Sequence, residues 1–199
     1  MPTGVAMRDV REQLFNAAER ILLRAGPSGL TSRALTTEAG CAKGVLHRHF
    51  ADFDAFLAEL ILDRIGRIDA QAAALRASAG TGTVAGNLTG ALAGVFESVA
   101  VAIVGLITFR DELRARLRRT LPAGIPLLAE ATTMIASYLA EEREMGRIAA
   151  DADVDTLALA LVGSAHLLYA GREGAPPEAG AVESVVTTVM ADVVQRRLL

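Results

Sequence analysis

Residues 31–50 read TSRALTTEAGCAKGVLHRHF, and this stretch decides the fold. Thr31 can accept a hydrogen bond from the first turn of a short helix, and Gly40 can take the left-handed conformation of a tight turn. A second short helix follows over about 42–48, and its apolar side chains face back onto the first. The pattern predicts a helix-turn-helix, whose second helix fits the major groove of duplex DNA.

The two short helices divide their side chains between a shared core and a projecting face. Helical spacing assigns the core to Leu35, Ala39, Cys41, Leu46 and Phe50. We expect DNA to meet the residues at the start of the first helix and along the free side of the second. These residues are Thr31, Ser32, Arg33, Lys43, Gly44, Val45, His47, Arg48 and His49.

Several of these residues have a second interpretation. Lys43, the only lysine among 20 basic side chains, can donate to guanine or phosphate, or it can be a solvated surface residue. Val45 can contact a thymine methyl group or belong to the core. His47 and His49 can donate to phosphates, more strongly when protonated, or they can be packed or solvated histidines. Cys41 is interpreted as core packing rather than as a thiol sensor.

The stretch resembles the DNA-binding motif of the tetracycline-repressor (TetR) family of transcriptional regulators. In that family the second half runs approximately Ala-Gly-Val-Ser-Lys-Gly-Thr-Leu-Tyr, followed by two basic or aromatic residues and Phe. The resemblance implies a DNA-binding head at residues 1–52 and a body at residues 53–199 that binds a small molecule and forms a homodimer. The matching positions are Thr31, Ala39, Gly40, Lys43, Gly44, Leu46, His49 and Phe50.

The chain departs from the family pattern at positions that typically hold the DNA backbone. Ala42 stands where the family has Ser, so the hydroxyl that caps the second helix and can bind phosphate is missing. Val45 replaces Thr, His47 replaces Tyr and Phe53 replaces Lys, while Thr36 replaces Ala. The first four of these substitutions remove hydroxyl or ammonium groups, and they bear on the affinity for DNA rather than on the fold.

Two functions therefore stay open. The first is a ligand-responsive regulator, expected to be a repressor, that binds a palindromic operator as a dimer and releases it when a small, mostly apolar effector binds. The alternative is a helical small-molecule-binding protein with weakened DNA affinity. Binding to duplex DNA distinguishes the two.

Helical spacing recurs along the whole chain and sustained alternation of apolar and polar residues does not, so we predict an all-α fold. The first helix is expected to stop at Gly26-Pro27, where glycine and proline both disfavour its continuation. The nine predicted helices cover about 7–25, 31–40, 42–48, 53–76, 84–107, 110–119, 125–146, 154–171 and 179–197.

Composition restricts the class of protein further. Hydrophobic residues make up 52% of the 199 residues, which excludes a disordered chain, and a single cysteine excludes an intrachain disulfide. The uncharged stretches at 77–96 and 156–170 are interrupted or too short to span a membrane, and no signal peptide is recognisable, so a cytoplasmic protein is expected.

Residues 1–50 carry seven basic and four acidic side chains (+3) against 13 and 19 in the remainder (−6), which favours a polyanion as the partner of the first part.

The body has a predicted pocket and a predicted interface. His166 lies in a helix that is apolar all round, so it is a core or interface residue or part of the pocket. The last two helices favour a two-fold interface. An unbroken apolar stripe runs along the helix predicted over 179–197, and small residues occupy positions 163–165 of the helix predicted over 154–171. The pocket residues, each of which can equally be ordinary core, are Phe96, Val99, Ile103, Phe109, Met134, Tyr138 and His166, with Tyr138 or Thr133 as polar anchors. The interface residues are Leu161, Leu168, Val182, Val186, Val189 and Val193.

The sequence contains no recognisable catalytic motif. A phosphate-binding glycine loop, a nucleophile elbow and a cluster of ligands at metal spacing are all missing, so we expect neither enzymatic activity nor a cofactor or metal. The acidic run of Glu141, Glu142 and Glu144 is interpreted as a solvated helix face.

Overall fold

The computed structural model describes residues 4–170 and 176–194, and these residues form ten α-helices and no sheet. The prediction of an all-α fold is confirmed. Within this part of the chain an isolated bridge joins Ile148 to Val194. The helices are α1 (Gly4–Gly29), α2 (Ser32–Glu38), α3 (Lys43–His49), α4 (Phe53–Ala77), α5 (Val84–Phe96), α6 (Ala100–Phe109), α7 (Asp111–Leu117), α8 (Leu128–Glu144), α9 (Val154–Ala170) and α10 (Ala181–Met190).

The helix predicted over 84–107 is two helices, so the described residues contain ten helices where about nine were predicted. Ser98 lies in the break, where its hydroxyl donates to the carbonyl of Val95 and accepts from the N–H of Ala100. A serine that bonds to nearby backbone groups competes with the helical ladder for them. Helix α5 therefore ends at Phe96, and α6 begins at Ala100.

The ends of the first and last helices differ in how well the sequence predicts them. Gly26, with φ 65° and ψ −171°, interrupts α1 at the predicted place. Helix α10 ends at Met190 rather than near 197, because the carbonyl of Val193 accepts from Ala149 N–H at 2.6 Å and the neighbouring Val194 pairs with Ile148. Positions 195–197 of the predicted helix lie outside the described residues.

By compactness the chain forms two units. The first consists of Met1–Asp63 and Ala102–Ala123, and the second of Arg64–Val101 and Gly124–Leu199. The predicted division after residue 52 is a functional one, between a head that binds DNA and a body that binds a ligand. Compactness does not test that division, which stays a prediction.

Three phenylalanine rings hold the helix-turn-helix to its neighbours in the first unit. Phe56 of α4 has its ring centroid 5.7 Å from that of Phe15 in α1 and 5.1 Å from that of Phe50, which follows α3 directly. All three side chains are buried. Tilted and edge-on aromatic pairs at this spacing are favourable, so the end of α3 and the start of α4 share one aromatic core.

The second unit contains a buried polar network on α8. Glu142 is fully buried, with its Oε2 atom 3.3 Å from Nη1 of Arg147 and its Oε1 atom accepting from Gly80 N–H at 3.3 Å. Tyr138 accepts a hydrogen bond from the side chain of Asn87 at 3.0 Å, and burial together with the Glu142 carboxylate raises the pKa of Tyr138. The interpretation of Glu142 as part of a solvated face is therefore wrong, because Arg147 and Gly80 lie close enough to stabilise its charge inside the protein.

No single helix among the described residues is both long and apolar enough to cross a membrane. Helices α5 and α6 reach that length only when they are taken as a pair across their break.

Candidate nucleic-acid interface

Helices α2 and α3 form the predicted helix-turn-helix. The Thr31 hydroxyl accepts from Ala34 N–H at 3.1 Å and caps α2, as predicted. Gly40 adopts φ 64°, and Cys41 N–H donates to the carbonyl of Thr36 at 3.0 Å, which closes the turn. Glycine takes this left-handed conformation without strain. Only Gly40, Cys41 and Ala42 lie outside the two helices after Ala39, so the turn is tight.

The shared core of the motif contains four of its five predicted residues. Leu35, Ala39, Leu46 and Phe50 are buried, whereas Cys41 is only half-buried. The Thr36 hydroxyl, which replaces a methyl group of the family pattern, bonds within α2 to the carbonyls of Ser32 and Arg33. A polar group thus enters the core without remaining unsatisfied.

The nine predicted DNA-contacting residues lie in or beside α2 and α3 and none of them is fully buried, and we call this set the α2–α3 face. Six of them are exposed and three are half-buried, and the Oγ atom of Ser32 is buried without a hydrogen-bond partner. The exposed residues are Thr31, Arg33, Lys43, Gly44, His47 and Arg48, and the half-buried ones are Ser32, Val45 and His49.

The α2–α3 face keeps its positive charge. Arg33, Lys43 and Arg48 form no ion pair within the described part of the chain. The one carboxylate of α2, on Glu38, is instead paired with Arg20 and Arg24 of α1 at 2.7 and 3.0 Å, and these hydrogen bonds lower its pKa. Three unneutralised cations on one face are a suitable surface for a polyanion.

The first turn of α3 has no capping side chain. Ala42 occupies the cap position with φ −69° and ψ 146°, and no side chain bonds to the first turn. A Cβ atom placed on Gly44 would meet nothing within 4 Å. The free backbone N–H groups of a helix start favour an anion, and the missing side chains let a phosphate or a base edge approach closely.

Sequence reasoning missed a set of charged residues beside α3. Asp52, in the turn between α3 and α4, accepts from Arg116 of α7 at 2.7 Å. Asp54 accepts from both Nε and Nη2 of Arg110 at 2.9 and 2.7 Å. Separations of 64 and 56 residues along the chain leave no local pattern that could have revealed these pairs.

The predicted pocket residues are dispersed. Phe96 is buried, with its ring centroid 5.9 Å from that of His166 and 5.9 Å from that of Tyr169. Val99, Met134 and Tyr138 are buried in the same compact unit, while Ile103 and Phe109 belong to the other unit. Phe109 is 86% exposed. The assignment of all seven residues to a pocket stays a prediction.

Two surface grooves occur in the second unit. One of about 330 Å³ lies between α4 and α5 and is lined by small residues together with Gln71, Ser78 and Asn87. The other, of about 310 Å³, lies between α8 and α9 and includes Thr133, which the sequence suggested as a polar anchor. Neither groove is lined by the seven predicted pocket residues.

Some of the predicted interface residues are already buried within the single chain. Leu161, Val182 and Val186 are buried, and Leu168, Val189 and Val193 are half-buried. Helix α9 is not covered all round, as its apolar sequence suggested, because Leu159 and Leu167 are 65% and 73% exposed. Gly163 lies between them at helical spacing, and its face is open.

These observations define a protein with a helix-turn-helix on which three cationic side chains form no ion pair within the described residues. Residues 14–60 match the model of a family described as "Bacterial regulatory proteins, tetR family". Residues 14–60 therefore form a domain of the type found in tetR-family regulators, and the resemblance found in residues 31–50 is confirmed. Members of this family are DNA-binding transcriptional regulators and are generally not enzymes. No curated protein matches the sequence.

Solved structures share the fold over nearly the whole chain. A TetR-family transcriptional regulator from Agrobacterium tumefaciens has a TM-score of 0.72 at 12% identity, over 95% of this chain and 100% of that one. NemR of E. coli in its reduced form has a TM-score of 0.71 at 14% identity, over 94% and 98%. A transcriptional regulator from Rhodococcus sp. Rha1 has a TM-score of 0.69 at 17% identity, over 94% and 99%. At these identities the likeness establishes the fold.

Proposed function

We propose that this chain is a transcriptional repressor that binds a palindromic DNA site as a homodimer and leaves it when a small, mostly apolar molecule binds residues 53–199. The observation that carries the DNA-binding part is the α2–α3 face, on which Arg33, Lys43 and Arg48 keep their charges unpaired. Such cations displace counterions from phosphates, which drives association with nucleic acid. A DNA partner also implies that the protein acts in the cytoplasm.

Exposed leucines support the dimer. Leu159 and Leu167 lie on one face of α9 with the open Gly163 between them, which lets a second helix approach closely. Apolar rows of this kind mark interaction surfaces, and two-fold pairing is the commonest closed arrangement. A symmetric dimer can present two recognition helices about 34–36 Å apart, one turn of DNA, as a palindrome requires.

The effector is supported by the two grooves of the second unit, which combine small apolar lining residues with a few polar groups. Such lining suits a small molecule that is mostly apolar and has one or two polar atoms. An effector can release DNA only if it binds the DNA-competent and DNA-free arrangements of the dimer with different affinities.

Selection from random duplexes of about 30 base pairs, long enough for two half-sites one helical turn apart, tests DNA binding. We expect enrichment of a palindrome. Lys43→Ala should weaken binding to the selected duplex by about 1–3 kcal/mol if Lys43 contacts a base. Failure of the wild-type chain to enrich any sequence would refute the DNA-binding proposal.

Sedimentation velocity tests the dimer. Leu167→Glu should give monomers that keep the helical circular dichroism spectrum, because the side chain is exposed in the single chain and its replacement disturbs no core. Leu23→Glu, at a leucine of α1 that is 61% exposed, is the matched control and should remain dimeric. A wild-type chain that sediments as a monomer at micromolar concentration contradicts the proposal.

A small-molecule-binding protein with weakened DNA affinity is the second candidate, and the uncapped start of α3 at Ala42 favours it. This candidate predicts that duplex selection fails while a small apolar compound still raises the melting temperature. A ligand that binds the folded but not the unfolded chain raises the free energy of unfolding by an amount that grows with the logarithm of the ligand concentration. The two measurements together therefore separate the candidates.

A further inference from the structure

The turn that follows the recognition helix is held from a distant part of the chain. Helix α3 ends at His49 and α4 begins at Phe53, so only three residues connect them. Within that turn Asp52 pairs with Arg116, and one residue into α4 Asp54 pairs with Arg110. Helix α7, which carries Arg116, belongs to the same compact unit as the helix-turn-helix.

We propose that Arg110 and Arg116 are positioning residues for DNA binding: they act through Asp54 and Asp52 to fix the direction in which α3 leaves its turn, and they do not touch DNA. This inference rests on the proposed DNA-binding function. It assigns a role in recognition to residues that lie outside the helix-turn-helix.

Asp52 is suited to transmit this restraint because its two carboxylate oxygens are divided between two tasks. Oδ1 accepts from Ala55 N–H at 2.6 Å and caps α4, whereas Oδ2 accepts from Arg116. The cap bond and, to a smaller extent, Arg116 hold the pKa of Asp52 below its usual range, so the carboxylate stays charged. A shift of α7 therefore pulls on the first turn of α4 and on the turn that precedes it.

Arg110 restrains the same region through two kinds of contact. Its guanidinium donates twice to Asp54, and its Cζ atom lies 5.6 Å from the ring centroid of Phe53, the first residue of α4. The Phe53 ring stacks on that of Phe56, with centroids 5.8 Å apart, and Phe56 packs against Phe50. The arginine is thus linked through the rings of Phe53 and Phe56 to Phe50, the residue that directly follows α3.

The two ion pairs are too exposed to contribute much to the stability of the fold. Arg110 and Asp54 have 36% and 24% of their side-chain surface exposed, and Arg116 and Asp52 have 33% and 52%. Exposed ion pairs contribute little to the free energy of unfolding. Their loss should consequently appear in DNA affinity more than in the melting temperature.

Whether the aspartate variants bind DNA more tightly or more weakly distinguishes a positioning role from a simple effect of charge. Asp54→Asn removes a negative charge near a polyanion, so charge alone predicts tighter binding to the selected duplex. Positioning predicts the opposite, a loss of affinity of up to about fivefold, the size expected when one exposed ion pair is uncoupled. Asp52→Asn should behave in the same way while keeping the α4 cap, because Asn caps helices as well as Asp.

A double-mutant cycle assigns the effect to the pair. Arg110→Gln and Asp54→Asn should each weaken binding, and the double variant should be no weaker than the worse single variant, because both remove one interaction. Arg118→Gln, an exposed arginine of the same region without an ion pair among the described residues, is the matched control for lost charge. The opposite pattern overturns the proposal. In that pattern Arg110→Gln weakens binding and lowers the slope of log affinity against log salt concentration by about 0.9, whereas Asp54→Asn strengthens binding. Arg110 would then contact phosphate directly.

Hydrogen exchange in the free protein tests the restraint without DNA. The amide of Phe50, which donates to Leu46 at 2.9 Å, and that of Val45 should exchange faster in Arg116→Gln and Arg110→Gln than in wild type, while the Arg118→Gln control should not differ from wild type. Unchanged exchange at these amides refutes the positioning role. If the wild-type chain enriches no duplex, the proposed function fails and hydrogen exchange alone decides this inference.

Discussion

At the scale of single residues, Gly44 allows the proposed DNA surface to be tested separately from stability. It lies in the first turn of α3, where a Cβ atom would meet no other atom of the chain within 4 Å. Gly44→Ala should therefore raise the free energy of unfolding by up to about 1 kcal/mol, through lower backbone entropy in the unfolded chain. The same Cβ should weaken binding to a selected duplex, because it occupies space on the α2–α3 face.

Urea unfolding and fluorescence anisotropy measure the two effects on the same preparation. Gly66→Ala is the matched control, since Gly66 lies within α4 and a Cβ there also meets nothing within 4 Å. The control should gain stability and keep wild-type affinity. Equal affinity in Gly44→Ala and wild type would mean that DNA does not approach this residue.

His166 should make the stability of the protein depend on pH. Burial lowers its pKa, and its Nδ1 atom is buried without a hydrogen-bond partner. The unfolded chain therefore binds the proton more readily than the folded one, so the stabilisation is complete above the unfolded value of about 6.5 and is lost as the pH falls below it. His166→Gln should flatten the curve of unfolding free energy against pH between about 5 and 7. An unchanged curve in His166→Gln would mean that His166 does not contribute to the pH dependence of stability.

At the scale of elements, α3, the proposed recognition helix, has no side-chain cap. The backbone of Ala42 already has the extended conformation that a capping residue needs, but its methyl side chain offers no acceptor. Ala42→Ser should raise the free energy of unfolding by about 1 kcal/mol and tighten DNA binding, because an ordered first turn no longer has to form on the duplex. Urea unfolding measures the first effect, with Ala51→Ser in the neighbouring turn as control. No gain over that control would mean that α3 is held by packing alone.

The elements near the helix-turn-helix follow from the sequence because their causes are local. Thr31 caps α2 three residues ahead, and Gly40 and Gly26 act at their own positions. The break at Ser98 has a local cause too, but a serine inside an apolar helical pattern is also compatible with an unbroken helix. The pairing of Glu142 with Arg147 was missed for a different reason, since whether a charged run faces solvent depends on the packing of the whole unit.

At the scale of the whole molecule, the helix-turn-helix is not an independent part. Phe15 and Phe50 are buried against Phe56, which lies beyond the predicted boundary at residue 52. A fragment of residues 1–52 should consequently show little helix by circular dichroism, because each exposed phenylalanine costs about 1.5–3 kcal/mol and a chain this short has little core to spare. A fragment of residues 1–63 restores Phe56 and should be more helical. Cooperative unfolding of the shorter fragment would support the boundary after residue 52.

Because the first unit is discontinuous in sequence, its ion pairs can form only late in synthesis on the ribosome. Its two segments are separated by Arg64–Val101, so Asp52 and Asp54 leave the ribosome well before the arginines that pair with them. At the usual rate of synthesis, elongation from Asp63 to Ala123 takes about 3–12 s. During that interval the nascent helix-turn-helix lacks Arg110 and Arg116, so the turn after α3 gains its two ion pairs only after α7 has been synthesised.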